Sequence, residues 1–269
     1  MAMLTVLIST MDDGIYDLEN AVQIRHPSIR YLIVHQTGSV RKLPRFLQDR
    51  GDVAIVQSVT RGIAVSRNIG LHHCQTAYAL IADDDVEFVP QGMEVLLDII
   101  KRDKPDFALF KIQTSEGQPE YKDYPMESYE IRQLKHWVSS IEIVVNAHKA
   151  RREQLRFDER FGLGTALNRG EEEIFVTDLI RNNWKGYYFP IYLVKHSYLS
   201  SGKCRRSRRD QYFFLGAYDA RIGKRSIPRR RLLDYLQDPL QLMSDLYYRK
   251  GRDYIVGSSN YFSPPLLLP

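Results

Sequence analysis

A series of short, almost uninterrupted apolar segments limits the fold of this chain more than any other feature of its sequence. Five such segments, rich in β-branched residues, occupy residues 4–10, 31–37, 53–59, 78–82 and 107–113. Because these segments are apolar on both faces, they are typical of a sheet that is covered on both sides. Segments with helical character lie between them, at about 16–25, 63–77 and 91–103. The alternation predicts an α/β fold with a mostly parallel sheet flanked by helices.

The overall composition indicates a folded protein in a reducing compartment. The 269 residues are 43% hydrophobic, which is enough for one large α/β domain or for one domain with an appendage. Two cysteines, Cys74 and Cys204, are too few and too far apart for a disulfide framework or a four-ligand zinc site. The start, MAMLTVLIST, has the pattern of a strand and lacks the basic leader of a signal peptide. The low cysteine content favours a reducing cytoplasm. Because no apolar run approaches the ~20 residues needed to span a bilayer, we expect a soluble or peripheral protein.

Positive charge is concentrated towards the C-terminal end. Residues 203–269 contain fourteen Lys or Arg against six Asp and no Glu, a net charge of +8. Since the whole chain carries +5, residues 1–202 carry −3. We predict a domain at 1–202 and a basic, helix-rich extension at 203–269.

Three consecutive aspartates follow one of the predicted strands, in the stretch YALIADDDVEF (78–88). Ligands of open α/β sheets gather at the carboxyl ends of the strands, which is where these aspartates are expected. Successive strand residues point to opposite faces, so we expect Asp83 and Asp85 on one side and Asp84 on the other. Two carboxylates on one side can bind Mg²⁺ or Mn²⁺ and leave coordination positions for substrate phosphates. The alternative is a solvated acidic turn.

Other polar groups are expected near the same edge of the sheet. Arg67 follows Ser66, a reasonable helix N-cap, and an arginine at a helix start suits an anionic ligand or, alternatively, an ordinary surface ion pair. The stretch GEEEIF (170–175) places three acids in the first turn of a helix, where they either complement the helix dipole or supply a general base. His196 ends a later strand and is either structural or, as a neutral imidazole, a second ligand for a cation held by Asp85.

Three common nucleotide-binding or hydrolytic motifs are absent from the sequence. There is no G-x-G-x-x-G after the first strand, no G-x-x-x-x-G-K-[ST] loop and no G-x-S-x-G elbow. Dinucleotide oxidoreductases, P-loop NTPases and α/β-hydrolases are therefore disfavoured.

The order of the remaining motifs resembles that of the family-2 glycosyltransferases of GT-A fold. The resemblance rests on GIAVSRNIGL (62–71), IADDD (81–85), FDERFGLG (157–164) and GEEEIF (170–175), followed by a late histidine. It covers roughly residues 3–202, and the combination is specific although each motif alone is weak. It implies a GT-A-like, Rossmann-like domain at 1–202.

The resemblance implies roles for individual residues at the donor. Asp83 is expected to contact the ribose, and Asp85 to bind a divalent metal, Mn²⁺ or Mg²⁺, that bridges the diphosphate. Thr10 and Arg67 resemble residues that contact the nucleotide. His196 resembles a late histidine that assists the metal or the diphosphate.

At the acceptor, Glu172 resembles the catalytic base of the family, with Glu171 and Glu173 as neighbouring candidates. Many members end their second strand in an aspartate that reads the nucleobase, whereas this chain has His35–Gln36. A single in-line displacement with one base and one metal inverts the anomeric centre and needs no covalent intermediate.

These roles imply a metal-dependent, inverting glycosyltransferase acting in cell-surface polysaccharide synthesis. It would move a hexose from a nucleotide-diphosphate sugar, favoured to be a UDP-sugar, to a hydroxyl of a saccharide or glycolipid acceptor. One alternative is a sugar-1-phosphate nucleotidyltransferase, which needs a glycine-rich, basic N-terminal loop where this chain has STMDDGIYD (9–17). The other is a non-catalytic carbohydrate- or RNA-binding module.

The C-terminal extension combines cations with apolar and aromatic residues. Its clustered basic residues are Lys203, Arg205, Arg206, Arg208, Arg209, Lys224, Arg225 and Arg229–Arg231. This composition favours peripheral association with an anionic membrane surface at the inner face of the cell membrane. The alternative is that the helices pack on the catalytic domain. Nucleic acid is not an expected partner, because no recognised binding motif accompanies the charge.

Overall fold

The computed structural model describes residues 2–39, 41–198, 207–224 and 239–258. The chain divides into two compact units, Met1–Ser200 and Ser201–Pro269. Several basic residues of the predicted extension lie outside the described residues, namely Lys203, Arg205, Arg206, Arg225 and Arg229–Arg231.

The first unit contains one sheet, which comprises nine strands among the described residues. The strands are β1 (Leu4–Met11), β2 (Ile29–Gln36), β3 (Val53–Ser58), β4 (Tyr78–Asp83), β5 (Glu87–Phe88), β6 (Phe107–Gln113), β7 (Tyr129–Ile131), β8 (Ile143–Asn146) and β9 (Gly186–Lys195). Their order is β3-β2-β1-β4-β8-β6-β9-β5, and β7 also pairs with β9. Strands β1 to β4 are parallel to one another, and so are β6 and β9, whereas β8, β5 and β7 pair antiparallel. The predicted α/β class is confirmed, and the sheet is mixed.

Six α-helices accompany these strands in the described part of the chain. They are α1 (Ile63–His73), α2 (Pro90–Arg102), α3 (Ala147–Arg152) and α4 (Glu171–Arg181) in the first unit, and α5 (Arg208–Arg221) and α6 (Pro239–Ser258) in the second. The predicted helix at about 16–25 is wrong. The structure instead has short 3₁₀ turns at Asp12–Tyr16 and Asn20–Val22, and Ile15, Leu18, Ala21 and Val22 are buried in the core.

Close packing of α1 on β1 positions the residues at the carboxyl edge of the sheet. Gly70 lies directly against Leu7, where a Cβ would overlap the leucine side chain. One turn earlier in α1, the Ser66 hydroxyl donates to Ser9 of β1 at 2.8 Å. Ser66 is therefore inside the helix, and Gly62, with φ +112°, is the N-cap in place of the predicted Ser66.

The second unit is built on a close pair of helices. Gly216 of α5 lies against the backbone of Tyr248 in α6, and Gly251 of α6 lies against the backbone of Phe213 in α5. Four apolar side chains of α6 are exposed, namely Leu240, Leu242, Met243 and Leu246. None of the helices that the structure describes combines the length and the apolar character needed to cross a membrane.

Candidate active site

The aspartate triplet lies where β4 leaves the sheet. The strand ends at Asp83, and Asp84 and Asp85 form the turn that follows, so the predicted alternation along a single strand does not extend over all three. The Thr10 hydroxyl, at the end of the neighbouring β1, donates to Asp84 at 2.7 Å. Burial raises the pKa of Asp84, and the charges of Asp83 and Asp85 raise it further. The triplet therefore concentrates negative charge at the end of β4, and Asp84 is the member whose charged form is disfavoured.

Asp85 faces His196, which follows β9. The antiparallel pairing of β5 with β9 aligns Glu87 with Lys195 and brings the two residues together. His196 Nε2 lies 3.2 Å from Asp85 Oδ2. This hydrogen bond lowers the pKa of Asp85 and raises the pKa of His196. The Asp85 side chain is 66% exposed, so the pair is open to a ligand.

The donor atoms of this pair suit a divalent cation that also binds phosphate. Mg²⁺ is commonly held by one or two carboxylates while substrate phosphates fill the remaining positions, and carboxylates also suit Mn²⁺. In the described residues, no group of three or more His, Cys, Asp and Glu side chains is arranged to hold a metal ion. Asp85 and His196 therefore fit a cation that arrives with its anionic substrate.

Arg67 connects the aspartates to the acidic start of α4. Its side chain is only 2% exposed. Nη2 donates to Asp83 Oδ1 at 3.0 Å, and Nη1 donates to Glu171 Oε1 at 2.9 Å and lies 3.7 Å from Glu172 Oε1. The guanidinium also lies 5.6 Å from the ring centroid of Phe157. The structure thus places Arg67 between acids of the protein, whereas the sequence resemblance assigned it to the nucleotide.

The three glutamates of the GEEE stretch differ in their surroundings. Glu171 begins α4 and has a 4% exposed side chain, whereas the Glu172 side chain is 19% exposed. Burial raises the pKa of Glu172 well above its ordinary value, and the neighbouring Glu171 adds to this, while Arg67 opposes it. Burial also raises the pKa of Glu173. A glutamate with a raised pKa and partial exposure is suited to accept a proton from a substrate hydroxyl.

Two residues that support the acids were present in the quoted motifs, but the sequence did not reveal their roles. The Asn68 amide donates to the carbonyl of Phe157 at 3.0 Å and to Glu159 at 2.8 Å, which fixes the FDERFGLG loop to α1. Gly162 of that loop has φ +98°, and a Cβ there would lie 2.8 Å from the carboxyl carbon of Glu171. Asn68 of the SRN motif and Gly162 of the FGLG motif therefore help to position the carboxylates at the start of α4.

Further polar residues lie at the end of β2, at the same edge of the sheet as the three aspartates. His35 is fully buried, and its Nε2 lies 2.8 Å from the backbone oxygen of Asp12. The Asp12 side chain accepts a hydrogen bond from Arg61 at 2.8 Å. Arg61, with a 50% exposed side chain, is therefore an accessible arginine beside this edge, unlike Arg67.

Comparison with known proteins gives the same architecture. The model of the family described as "Glycosyl transferase family 2" matches residues 21–152. No curated protein matches the sequence. Among solved structures, TarS 1–349 of S. aureus in complex with UDP has a TM-score of 0.62 at 14% identity, covering 97% of this chain and 72% of that one. The complex of the same protein with UDP-GlcNAc has a TM-score of 0.60 at 13% identity, covering 97% and 73%.

At such low identity the structural likeness shows the fold alone. A longer structure of S. aureus TarS matches 99% of this chain with a TM-score of 0.60. This chain covers 46% of that longer chain. The matched family, the sheet order and the position of the acidic motifs agree with one another. The chain therefore has a GT-A-like fold and is similar to the family-2 glycosyltransferases over residues 21–152.

Proposed function

We propose that this glycosyltransferase is metal-dependent and inverting, and that it moves a hexose from a UDP-sugar to a hydroxyl of a saccharide or glycolipid. The observation that carries the proposal is the bridge made by Arg67 between Asp83 and the carboxylates of Glu171 and Glu172. A single displacement needs the leaving group and the base in one site. The bridge joins the residues proposed for these two roles across one guanidinium group.

The proposed donor end consists of Thr10, Asp83, Asp85 and His196. Asp83 is assigned to the ribose, Thr10 to the nucleotide, and Asp85 and His196 to the metal, Mn²⁺ or Mg²⁺. When bound, the metal would stabilise the negative charge that develops on the diphosphate leaving group. The UDP and UDP-GlcNAc complexes of TarS, which shares this fold, support a uridine nucleotide.

The proposed acceptor end is the start of α4, with Glu172 as the general base. Its carboxylate takes the proton of the acceptor hydroxyl while that oxygen attacks the anomeric carbon. Arg67 holds Glu171 and lies 3.7 Å from Glu172, so it acts as a positioning residue and limits the rise in the pKa of Glu172. One such displacement inverts the anomeric centre.

We assign catalysis to residues 1–202 and a surface role to 203–269. Exposed Leu240, Leu242, Met243 and Leu246 on α6 support an apolar contact with a membrane. Arg209 and the exposed Lys250 of the same unit support attraction to anionic lipid. A peripheral position at the membrane suits a lipid-linked acceptor in cell-surface polysaccharide synthesis.

A screen of nucleotide sugars for Mn²⁺-dependent hydrolysis tests the proposed function. We expect release of UDP from one UDP-sugar, loss of release on chelation of the metal, and recovery on its return. A nucleotidyltransferase would instead form pyrophosphate from a nucleoside triphosphate. A binding module would release nothing from any donor, and that result would reject the proposal.

A further inference from the structure

Trp137 is an exposed aromatic side chain near the candidate active site that the proposed reaction leaves without a role. It lies in the segment 114–139, which contains β7 and connects β6 to the 3₁₀ turn before β8, and it is 43% exposed. The other tryptophan of the chain, Trp184, is 4% exposed and donates Nε1–H to Glu153 at 2.7 Å. Tryptophan is enriched at binding interfaces because it combines a large apolar face with an N–H donor.

One aromatic ring separates Trp137 from the proposed metal ligands. The ring centroid of Tyr121 lies 5.9 Å from that of His196, with the planes at 85°. The centroid of the same tyrosine ring lies 5.7 Å from that of Trp137. Trp137 is therefore next to the donor end but outside the first layer of residues that would touch the diphosphate.

A buried ion pair holds Trp137 in place. Lys122 donates to the backbone oxygen of Trp137 at 2.7 Å, and its Nζ lies 4.7 Å from the centroid of the indole. The same amine pairs with Glu142 at 2.6 Å, and Glu142 also accepts the hydroxyl of Tyr124. Because the indole is fixed by buried partners, little conformational entropy would be lost when a ligand binds.

The same lysine also relates Trp137 to the proposed base. Burial lowers the pKa of Lys122, while the negative charges of Glu142 and, more weakly, Glu173 oppose that shift. Glu173 adjoins Glu172 at the start of α4. Lys122, which holds Trp137, is therefore within electrostatic range of the α4 carboxylates, and an acceptor has to sit near those carboxylates for its hydroxyl to reach the base.

We propose that Trp137 is the stacking platform for a sugar ring of the acceptor. This inference rests on the proposed function and names an acceptor subsite for it. The C–H face of a pyranose is apolar and carries partial positive charge, and the face of an indole is apolar and negative, so the two stack in water. Trp137 also lines a shallow cleft of about 30 Å³ with Lys122, Tyr124 and Glu142.

Acrylamide quenching of tryptophan fluorescence tests binding directly, without any enzyme assay. The exposed Trp137 should be quenched and the buried Trp184 protected. The probes are the methyl glycosides of glucose, galactose and N-acetylglucosamine, together with maltose and cellobiose. At least one should protect the wild-type protein, and that protection should disappear in Trp137→Phe and persist in Trp184→Phe. Protection by none of the five, or equal protection in Trp137→Phe, overturns the proposal.

Kinetic measurements distinguish whether the ring stacked on Trp137 belongs to the acceptor or to the donor sugar. With the saccharide that binds best, Trp137→Ala should raise the concentration for half-maximal stimulation of UDP release roughly tenfold, which corresponds to ~1.4 kcal/mol. Trp137→Phe should restore most of this loss. An equal rise in the half-saturating donor concentration would assign the ring to the donor and overturn the acceptor subsite.

One control variant and one outcome with the wild-type protein complete the experiment. Met126→Ala, an 83% exposed position in the same segment, should change neither constant. If the wild-type protein releases no UDP from any donor but the quenching result stands, the proposed function fails and the saccharide site remains.

Discussion

Nη1 of Arg67 lies 2.9 Å from Oε1 of Glu171, although the two residues are 104 positions apart in the chain. The same guanidinium donates to Asp83, so one buried cation ties the end of β4 to the start of α4. The charge is necessary there because burial of unpaired carboxylates carries a large desolvation cost. Arg67 therefore sets the distance between the two halves of the proposed site.

Removal of this bridge should destabilise the fold. Arg67→Met leaves Asp83 and Glu171 without their buried partner, and we expect a loss of about 3–5 kcal/mol in the free energy of unfolding. Urea denaturation followed by circular dichroism measures it. The exposed arginine of the Arg61–Asp12 pair is the matched control, and Arg61→Met should shift the midpoint little. Equal midpoints for the two variants would contradict the structural role of Arg67.

Substitution of the proposed base should separate chemistry from binding. Glu172→Gln keeps the shape of the side chain but cannot accept the acceptor proton. We expect turnover to fall by roughly 10²-fold or more with donor affinity retained. Glu171→Gln and Glu173→Gln provide the comparison, measured by initial rates and by nucleotide titration. A comparable loss in only one of those two variants would move the base to that residue.

The acid limb of the pH–rate profile should reflect the environment of Glu172. Because burial and Glu171 raise the pKa of Glu172, the active carboxylate is lost at a higher pH than for an ordinary glutamate as the pH falls. Glu171→Gln removes a negative neighbour, so the limb should move to lower pH. The dependence of kcat/KM on pH in both proteins gives the measurement. A limb that stays in place would show that another group controls it.

Loss of the proposed metal ligand should abolish metal-dependent binding. Asp85→Ala removes the carboxylate that faces His196, and we expect no transfer and no effect of Mn²⁺ on UDP affinity, with the fold retained. Calorimetric titration of UDP with and without Mn²⁺ measures this. Asp98→Ala, at an exposed position on α2, is the control. Near-normal turnover in Asp85→Ala would reject the metal assignment.

The second unit should bind anionic vesicles. Flotation with vesicles of phosphatidylglycerol and phosphatidylcholine should recover the protein, whereas vesicles of phosphatidylcholine alone should not, and salt should weaken the binding. Leu242→Ser with Leu246→Ser should reduce recovery because it removes exposed apolar surface of α6. Truncation after residue 202 should abolish it. No recovery at low salt would exclude the proposed surface.

Strand positions could be predicted from sequence because strand burial has a strong local signal. The apolar runs that became β1, β2, β3, β4 and β6 are short and uninterrupted, as expected for strands covered on both faces. The segment 16–25 has no such signal. Its apolar residues fit a helical period, yet they reach the core through 3₁₀ turns, since tertiary packing overrides a weak local preference there.

The candidate acids could also be predicted from the sequence, because a run of consecutive acidic residues can be recognised without the structure. Their partners could not be found in that way. Asp83, Asp84 and Asp85 each contact a residue from a different part of the chain, at Arg67, Thr10 and His196. No local pattern specifies these pairings, because they depend on which strands are neighbours in the sheet.

The sequence by itself therefore determined the class of fold and the residue types of the site. Only the tertiary structure decided which groups the side chain of Arg67 contacts. Gly70 lets α1 approach Leu7, and Gly162 leaves room for the Glu171 carboxyl, so the arginine points inward between two acids and not outward to a ligand. The physical reason is that a buried charge needs opposite charges within a few ångströms, and the packing of backbones across the sheet determines which charges are that close.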